Sequence, residues 1–266
     1  MVNGLITSSP LVIFSDDSLM VLDKPPGLTV TSSETEKSPT LQDILRDKFS
    51  LDLERAGIVH RLDKDTSGLL VVGKTAEMVE KLQTQFKERR VLKEYMALVH
   101  GLLEKEGRVE GAIIRNPRDR EKFIVISEKE KAESGEGRGA VTEYAPLKHL
   151  QMNEEQIRVI FFDYSKLQLR KLLTTHYSLF TLLSCHPLTG RTHQIRVHLK
   201  YIGHPIVGDG KYGGRKTTRL DHRWCPRQFL HAARIEFTHP QSGERMKFES
   251  KLPEDLETVL SKLSEK

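Results

Sequence analysis

Asp63 is the residue whose surroundings in this sequence are best suited to chemistry. It lies in a polar stretch between Arg61 and the corner Thr66-Ser67-Gly68. The apolar run Leu69-Leu70-Val71-Val72 follows at once and predicts a buried strand. A carboxylate where a polar loop enters a core strand is well placed to meet a substrate. An aspartate that bonds its own backbone in a turn explains the same pattern, so both interpretations stay open here.

A nucleophilic carboxylate needs a nearby cation that keeps it ionised and a site that limits water. Arg191 is the candidate cation, because it follows Thr189-Gly190 at a predicted strand-to-helix corner. Tyr95 is the third candidate, on a strand pattern that turns it to the same side as Lys93. Each has a structural alternative, namely a surface arginine at a helix start and an ordinary half-buried strand tyrosine.

The composition limits the classes of protein to which this chain can belong. With 266 residues and 37% hydrophobic content, the chain can bury a sizeable core. No apolar run is long enough to span a bilayer, so we expect no membrane partner. Cys185 and Cys225 lack metal-ligand spacing, which predicts reduced, partly buried thiols and a cytoplasmic location.

Positive charge is concentrated between Lys200 and Arg234, where the acids are Asp209 and Asp221. Aromatic residues are interleaved with these cations, which favours an RNA-facing surface over a plain solvated basic face. The aromatic residues concerned are Tyr201, Tyr212, Trp224 and Phe229.

The predicted helices and strands indicate an α/β (α+β) protein with a mixed, largely antiparallel central sheet and flanking helices. We expect a single domain over residues 1–266, with its core at about 11–255. Helices are expected from Ser38-Pro39, from the cap Thr75 and from about Arg191 to Ile202. The range 156–162 predicts a strand, and 163–175 an irregular insertion. Polar stretches at 31–37 and 127–139 predict loops.

The histidines offer a competing kind of site. His186, His193, His198 and His204 lie close in sequence to Asp209. On a helix, residues five apart such as His193 and His198 point in different directions, and neither H-E-x-x-H nor a cysteine pair is present. The spacing therefore disfavours a metal-dependent hydrolase.

Three segments resemble, in chain order, the motifs of the RluA-type RNA pseudouridine synthases. They are the stretch from His60 to Gly68, the stretch Lys93-Glu94-Tyr95, and the stretch from Thr189 to His198. Supporting matches begin at Asp23, Gly203 and Phe229. The resemblance covers nearly the whole chain. It implies the pseudouridine synthase fold and an isomerase that converts uridine to pseudouridine in tRNA or rRNA.

The resemblance also implies residue roles. Asp63 is the catalytic nucleophile, Tyr95 packs against the uracil and takes part in proton transfer, and Arg191 pairs with Asp63. Arg61 contacts RNA and helps to fill the gap left by a flipped base. The wider set implied to bind RNA or substrate is His60, Thr66, Ser67, Lys93, Gln194, Arg196, Phe229 and Leu230.

The resemblance implies no metal or organic cofactor, and a monomer as the default. Because the catalytic part begins almost at once, we expect no N-terminal RNA-binding domain, so that targeting falls to residues 127–139 and to Lys200–Arg234. Lys166, Arg170 and Lys171 in the insertion either extend the RNA surface or belong to a plain loop. A catalytically silent RNA-binding protein of the same fold is the alternative function.

Overall fold

The computed structural model describes residues 9–31, 39–127, 135, 137–174 and 176–266, so Ser38 and most of both predicted loops lie outside it. The helices are α1 (Leu41–Phe49), α2 (Ala76–Lys87), α3 (Glu154–Ile160), α4 (Lys166–Thr174), α5 (Gln194–Tyr201), α6 (Arg215–Asp221) and α7 (Glu254–Ser261). The strands are β1 (Leu11–Ser15), β2 (Leu19–Lys24), β3 (Ser67–Gly73), β4 (Leu92–His100), β5 (Gly107–Asn116), β6 (Asp119–Ile126), β7 (Arg138–Gln151), β8 (Leu179–Pro187), β9 (Leu230–Thr238), β10 (Arg245–Glu249) and β11 (Ser264–Glu265).

The chain divides into two compact units. The first comprises Met1–Lys93 and His231–Lys251, and the second comprises Glu94–Leu230 and Leu252–Lys266. Asp63 belongs to the first unit, whereas Tyr95 and Arg191 belong to the second. The single domain that the sequence predicts stays a prediction.

The first unit is built on strands that lead the chain into and out of the Asp63 loop. β2 pairs antiparallel with β1 and β3, and β10 pairs antiparallel with β9. β3 pairs in parallel with β9, with Ser67 opposite His231 and Gly68 opposite Ala232. Every residue of β3 is buried, as the apolar run predicted. The core of this unit is formed by Leu19, Val21, Leu69, Val71, Leu82, Val91, Ile235 and Phe237.

The second unit is an antiparallel arrangement in the strand order β4-β8-β7-β5-β6, with β11 paired to β7. Its core lies between these strands and the helices α3, α5 and α7. The mixed, largely antiparallel α/β architecture predicted from the sequence is confirmed. No helix of the described residues is both long and apolar enough to cross a membrane.

The strand predicted at 156–162 is wrong, because α3 occupies most of that range. The Asn153 side chain accepts a hydrogen bond from the Gln156 N–H, and the Gln156 side chain accepts one from the Asn153 N–H. This reciprocal cap starts a helix despite the β-branched residues that follow it. The supposed irregular insertion likewise contains a helix, α4.

Two predicted helix starts are displaced. The first helix begins at Leu41, because Thr40 rather than Ser38 caps it and exchanges hydrogen bonds with Asp43. The helix expected from Arg191 begins at Gln194, since His193 has a left-handed backbone with φ of 55°. Arg191 therefore lies in the loop before α5 and not in its first turn. The helix capped by Thr75 is confirmed as α2.

Candidate active site

Asp63 is partly buried and lies in a tight turn before β3. The Thr66 N–H donates to the Asp63 main-chain carbonyl at 3.1 Å, which closes the turn. Lys64 and Asp65, at the turn's tip, are exposed. The Asp63 main-chain carbonyl thus takes part in forming the turn.

Lys24 holds this turn from the interior of the first unit. Its side chain is fully buried at the end of β2. The ammonium donates to the carbonyl oxygens of Pro25 at 2.8 Å, Leu28 at 2.9 Å and Lys64 at 2.9 Å. A buried charge is tolerated only when such partners satisfy its donors. Lys24 therefore fixes the backbone of the residue next to Asp63, a role that nothing in its local sequence signals.

The other side of the turn is fixed to β9. Ser67 and His231 are buried and face each other at 3.0 Å between Oγ and Nδ1. His231 Nε2 lies 3.2 Å from the Ser250 carbonyl and donates to it, so Nδ1 accepts the Ser67 hydroxyl hydrogen. At Gly68, with φ of 112°, a Cβ atom would lie 2.3 Å from the Ala232 carbonyl oxygen. Only glycine permits this approach.

His60 accepts a main-chain hydrogen bond through a neutral imidazole ring. Its Nε2 accepts the Val71 N–H at 2.9 Å, and its ring stacks on Phe86 with centroids 4.7 Å apart. Burial, together with the nearby charge of Lys93, lowers the pKa of His60 to about 3. Burial also lowers the pKa of Lys93 to about 8. At neutral pH the first unit thus places a neutral imidazole beside a lysine that is still protonated.

In the second unit, Tyr95 is half-buried on β4 and packs against the apolar core. Its main chain is opposite Cys185 of β8. The preceding residue, Glu94, accepts a hydrogen bond from the Ser184 hydroxyl at 2.8 Å. A regular strand with a bonded neighbour fixes the direction of the Tyr95 side chain more firmly than a loop would.

Gln194 organises the loop that carries Arg191. Its Oε1 accepts from the Thr189 hydroxyl at 2.6 Å and from the Arg191 N–H at 3.0 Å. Its Nε2 donates to the Val141 carbonyl at 2.9 Å and to Thr142 Oγ1 at 3.0 Å. The side chain is buried, and the oxygen and the nitrogen of its amide both form hydrogen bonds within the unit. Gln194 thereby joins the Arg191 loop to β7.

Arg196, two residues after Gln194 in α5, is buried and forms an ion pair. Its guanidinium donates to both carboxylate oxygens of Asp209, at 2.7 and 2.9 Å, and lies 5.1 Å from the centre of the Tyr212 ring. The Tyr212 hydroxyl accepts the Phe123 N–H at 3.0 Å and lies 2.8 Å from His193 Nδ1. The predicted basic residue is thus part of a buried network that fixes the third motif in place.

Comparison with known proteins is consistent with this geometry. The RNA pseudouridylate synthase family profile matches residues 18–201. The chain belongs to the RNA pseudouridylate synthase family. It is 38% identical over 264 residues to ribosomal large subunit pseudouridine synthase D of Xanthomonas campestris, covering 96% of this chain and 69% of the relative. The enzyme of the same name from Nitrosomonas europaea is 39% identical over 254 residues, covering 94% and 64%.

The solved structure of human RNA Pseudouridylate Synthase Domain Containing 1 superposes with a TM-score of 0.69 at 25% identity. The superposition covers 100% of this chain and 92% of that one. The fold expected from the sequence resemblance is therefore confirmed. The chain spans about two thirds of the length of the curated relatives it matches.

As a member of the pseudouridylate synthase family, the chain carries further residues predicted to contact RNA. Arg61 is exposed, and Thr66 is buried. Phe229 and Leu230 are buried, and Phe229 packs in the core of the second unit. The contact with RNA predicted for these residues, and for His60, Ser67, Lys93, Gln194 and Arg196, stays a prediction.

The aromatic residues of Lys200–Arg234 differ from expectation. Tyr201 is 57% exposed, but Tyr212 and Trp224 are buried. The Trp224 indole N–H donates to the Tyr177 hydroxyl at 3.1 Å. These two rings are core residues and cannot stack on a base, because packing within the unit already covers them.

The two cysteines and the histidine cluster are the remaining residues for which the sequence suggested chemistry. Cys185 and Cys225 are free and buried, and burial raises the pKa of each thiol to about 12. Within the described ranges, no group of three or more His, Cys, Asp and Glu side chains is arranged to hold a metal ion. The histidine-based hydrolase gains no support from this geometry.

Proposed function

We propose that this chain isomerises specific uridines to pseudouridine in structured RNA, with Asp63 as the catalytic carboxylate. The observation that carries the proposal is the Asp63 turn, fixed by the buried Lys24 and leading into a wholly buried strand, in a member of the RNA pseudouridylate synthase family. Positioning of this kind is what a nucleophile needs before it meets its substrate.

The reaction conserves every atom of the RNA. The bond between N1 of uracil and C1′ of ribose breaks, and a bond between C5 and C1′ forms. The hydrogen on C5 is lost as a proton, and N1 gains one. Because a stacked base cannot turn in place, the uridine must leave the helix stack first. The product is an isomer of the substrate, so the proposed reaction consumes no second substrate.

In this mechanism each of the four residues has a distinct task. Asp63 attacks or assists at the sugar or the base as the C–N bond breaks. Arg191 pairs with Asp63 and keeps the carboxylate ionised. Tyr95 packs against the uracil and takes part in the transfer of the proton that leaves C5. Arg61, which is exposed next to the Asp63 turn, contacts RNA and fills the space of the flipped base.

Large-subunit ribosomal RNA is the substrate class that we favour, since curated relatives at 38% and 39% identity are named for it. Transfer RNA is the second candidate. We also propose that the chain acts as a monomer.

The test uses purified protein and in vitro transcribed large-subunit rRNA and tRNA, which contain no pseudouridine at the start. Pseudouridine is mapped at nucleotide resolution after incubation. We expect wild type to modify defined uridines and Asp63→Asn to modify none. Asp52→Asn, at an exposed carboxylate of the same unit, should behave like wild type.

The competing function, a catalytically silent RNA-binding protein, makes the opposite prediction. It requires RNA binding without product from any transcript. Equal product from wild type and Asp63→Asn would instead exclude Asp63 as the nucleophile while leaving the isomerase activity intact.

A further inference from the structure

A helical segment of the second unit exposes apolar side chains outside the residues assigned to catalysis. In α3, α4 and the loop between them, Phe162 is 83% exposed, Leu167 78% and Val159 70%. The neighbouring Phe161 and Ile157 are fully buried, so the segment is anchored in the core. Packing of the core thus does not account for the outward-facing phenylalanine.

Helix α4 adds positive charge beside Phe162. It contains Lys166, Arg170 and Lys171, all exposed, and no acidic residue. Lys166 and Arg170 are four residues apart and therefore share one face of the helix. An exposed aromatic ring beside cations at helical spacing combines the two chemistries that hold a nucleic-acid strand, stacking on bases and attraction to phosphates.

Arg223 connects this segment to a second basic stretch. Its guanidinium donates to both carboxylate oxygens of Asp163. It also lies over the rings of Phe161 and Tyr164, at 5.1 Å from each centre, and at 5.9 Å from that of Phe162. Residues 211–223 contain five lysines and arginines and one acid, Asp221, which is buried. The Arg223 contacts thereby join the end of this basic stretch to the segment that carries Phe162.

The sign of this charge discriminates between possible occupants. Arg215 and Arg219 of α6 are exposed and four residues apart, as Lys166 and Arg170 are in α4. A second copy packed with its α4 against this α4 would bring like charges together, because the helix contains no acidic residue, and this opposes association. A polyanion with accessible flat rings satisfies both the cations and Phe162, and RNA has this chemistry.

We propose that this surface, defined by Phe162, Lys166 and Arg170, is an accessory RNA-docking surface that holds a substrate strand outside the catalytic site. The inference rests on the proposed function, because it takes RNA to be the substrate. An accessory contact of this kind would raise affinity for long RNA without altering the chemical step.

Binding is tested by fluorescence anisotropy with a labelled 20-nucleotide oligouridylate across a range of salt concentrations. Each lost phosphate contact on a single strand lowers the slope of log K against log salt by about 0.7. The double variant Lys166→Gln/Arg170→Gln should therefore lose about 1.4 of that slope. Phe162→Ala should weaken binding about tenfold at constant salt, as expected for a lost stacking contact.

Matched controls come from the same unit. Lys105→Gln changes an exposed lysine that lies between Glu104 and Glu106, and Leu147→Ala changes an apolar side chain that is 50% exposed. Both should bind oligouridylate like wild type. Wild-type binding by the Phe162 and α4 variants would overturn the proposal.

Turnover of the rRNA transcript supplies an independent readout. The Phe162 and α4 variants should raise KM about tenfold and leave kcat within twofold of wild type, because they do not touch the reacting atoms. A wild-type dimer in sedimentation equilibrium that Phe162→Ala converts to a monomer would identify a second copy as the occupant and overturn the proposal. Absence of product from every transcript would overturn the proposed function alone, since oligouridylate binding needs no turnover.

Discussion

The buried ammonium of Lys24 lies 2.9 Å from the main-chain carbonyl oxygen of Lys64, the residue that follows Asp63. The same ammonium donates to the carbonyls of Pro25 and Leu28, so one charge joins the end of β2 to the turn of the proposed nucleophile. A neutral side chain of similar length cannot make these bonds. The position of the Asp63 backbone thus depends on a residue 39 positions earlier in the chain.

Lys24→Met tests this dependence. Three carbonyls lose their charged donor, so we expect the free energy of unfolding to fall by roughly 2–4 kcal/mol. In protein that remains folded, kcat should fall at least about tenfold, because the turn that carries Asp63 loosens. Urea unfolding gives the first quantity, and single-turnover kinetics on the rRNA transcript gives the second.

Lys64→Met is the matched control for stability. It makes the same lysine-to-methionine exchange at Lys64, where the side chain is exposed and the main-chain carbonyl that accepts from Lys24 is kept. We expect unfolding within about 0.5 kcal/mol of wild type. Equal loss of stability in both variants would contradict the role of the buried ammonium.

Sequence patterns predicted β3, β4 and α2 because their signals are local. An unbroken apolar run gives a buried strand, and a threonine followed by helical apolar spacing gives a capped helix. The family motifs then indicate Asp63, Tyr95 and Arg191 as site residues without any knowledge of contacts, and their roles stay predictions. The strand prediction for 156–162 was wrong because it gave the apolar, β-branched residues more weight than the capping pair Asn153 and Gln156. That pair is also visible in the sequence.

Other features depend on partners that are distant in the chain. Nothing near Lys24 indicates that its charge is buried, because Lys64 is 40 residues away. The resemblance implies that Arg196 binds RNA or substrate, and nothing near it in the sequence indicates its buried pair with Asp209. The same role is implied for Gln194, yet two of its partners, Val141 and Thr142, are more than 50 positions away. Tertiary pairing of this kind leaves no periodic signal.

Gln194→Glu tests how the Arg191 loop is held. The carboxylate keeps the acceptor for Thr189 and Arg191 but cannot donate to the Val141 carbonyl. The two oxygens would then repel each other and displace the loop. We expect kcat on the rRNA transcript to fall about tenfold, with KM within about twofold of wild type, as for a positioning residue.

The pH profile separates this effect from simple unfolding. Protonation of the introduced carboxyl restores one donor, so the activity of Gln194→Glu relative to wild type should rise as pH falls. Gln83→Glu, at an exposed glutamine of α2, controls for the added charge and should match wild type at every pH. An unchanged ratio across the pH range would argue against the proposed hydrogen-bond exchange.

His198 predicts how stability responds to acid. The residue is fully buried, with Nδ1 at 3.0 Å from Thr142 Oγ1, and burial lowers its pKa to about 4. Between about 6.5 and 4, the unfolded chain binds a proton that the folded chain does not, so stability falls as pH falls through this window. With about 1.4 kcal/mol for each pKa unit, the loss is on the order of 3 kcal/mol.

His198→Asn keeps a partner for Thr142 but removes this titration. We expect the variant to be less stable than wild type at pH 7 and the difference to shrink as the pH approaches 4. Urea unfolding at four or five pH values measures the trend. The lowered pKa of His60 acts in the same direction in both proteins and cancels in the comparison. A constant difference between the two proteins would contradict the assignment.

Lys93 predicts a pH effect on substrate capture. Burial lowers the pKa of its ammonium to about 8, so the charge is present at pH 7 and is lost as the pH rises to 9. If Lys93 contacts RNA phosphate, kcat/KM on the rRNA transcript should fall through this range, since that ratio reports the ionisation of the free enzyme. Lys93→Arg keeps its charge at every pH tested and should abolish the step. Titration of the RNA itself affects both proteins equally. A step that persists unchanged in Lys93→Arg would therefore assign it to another group and leave Lys93 without an electrostatic role.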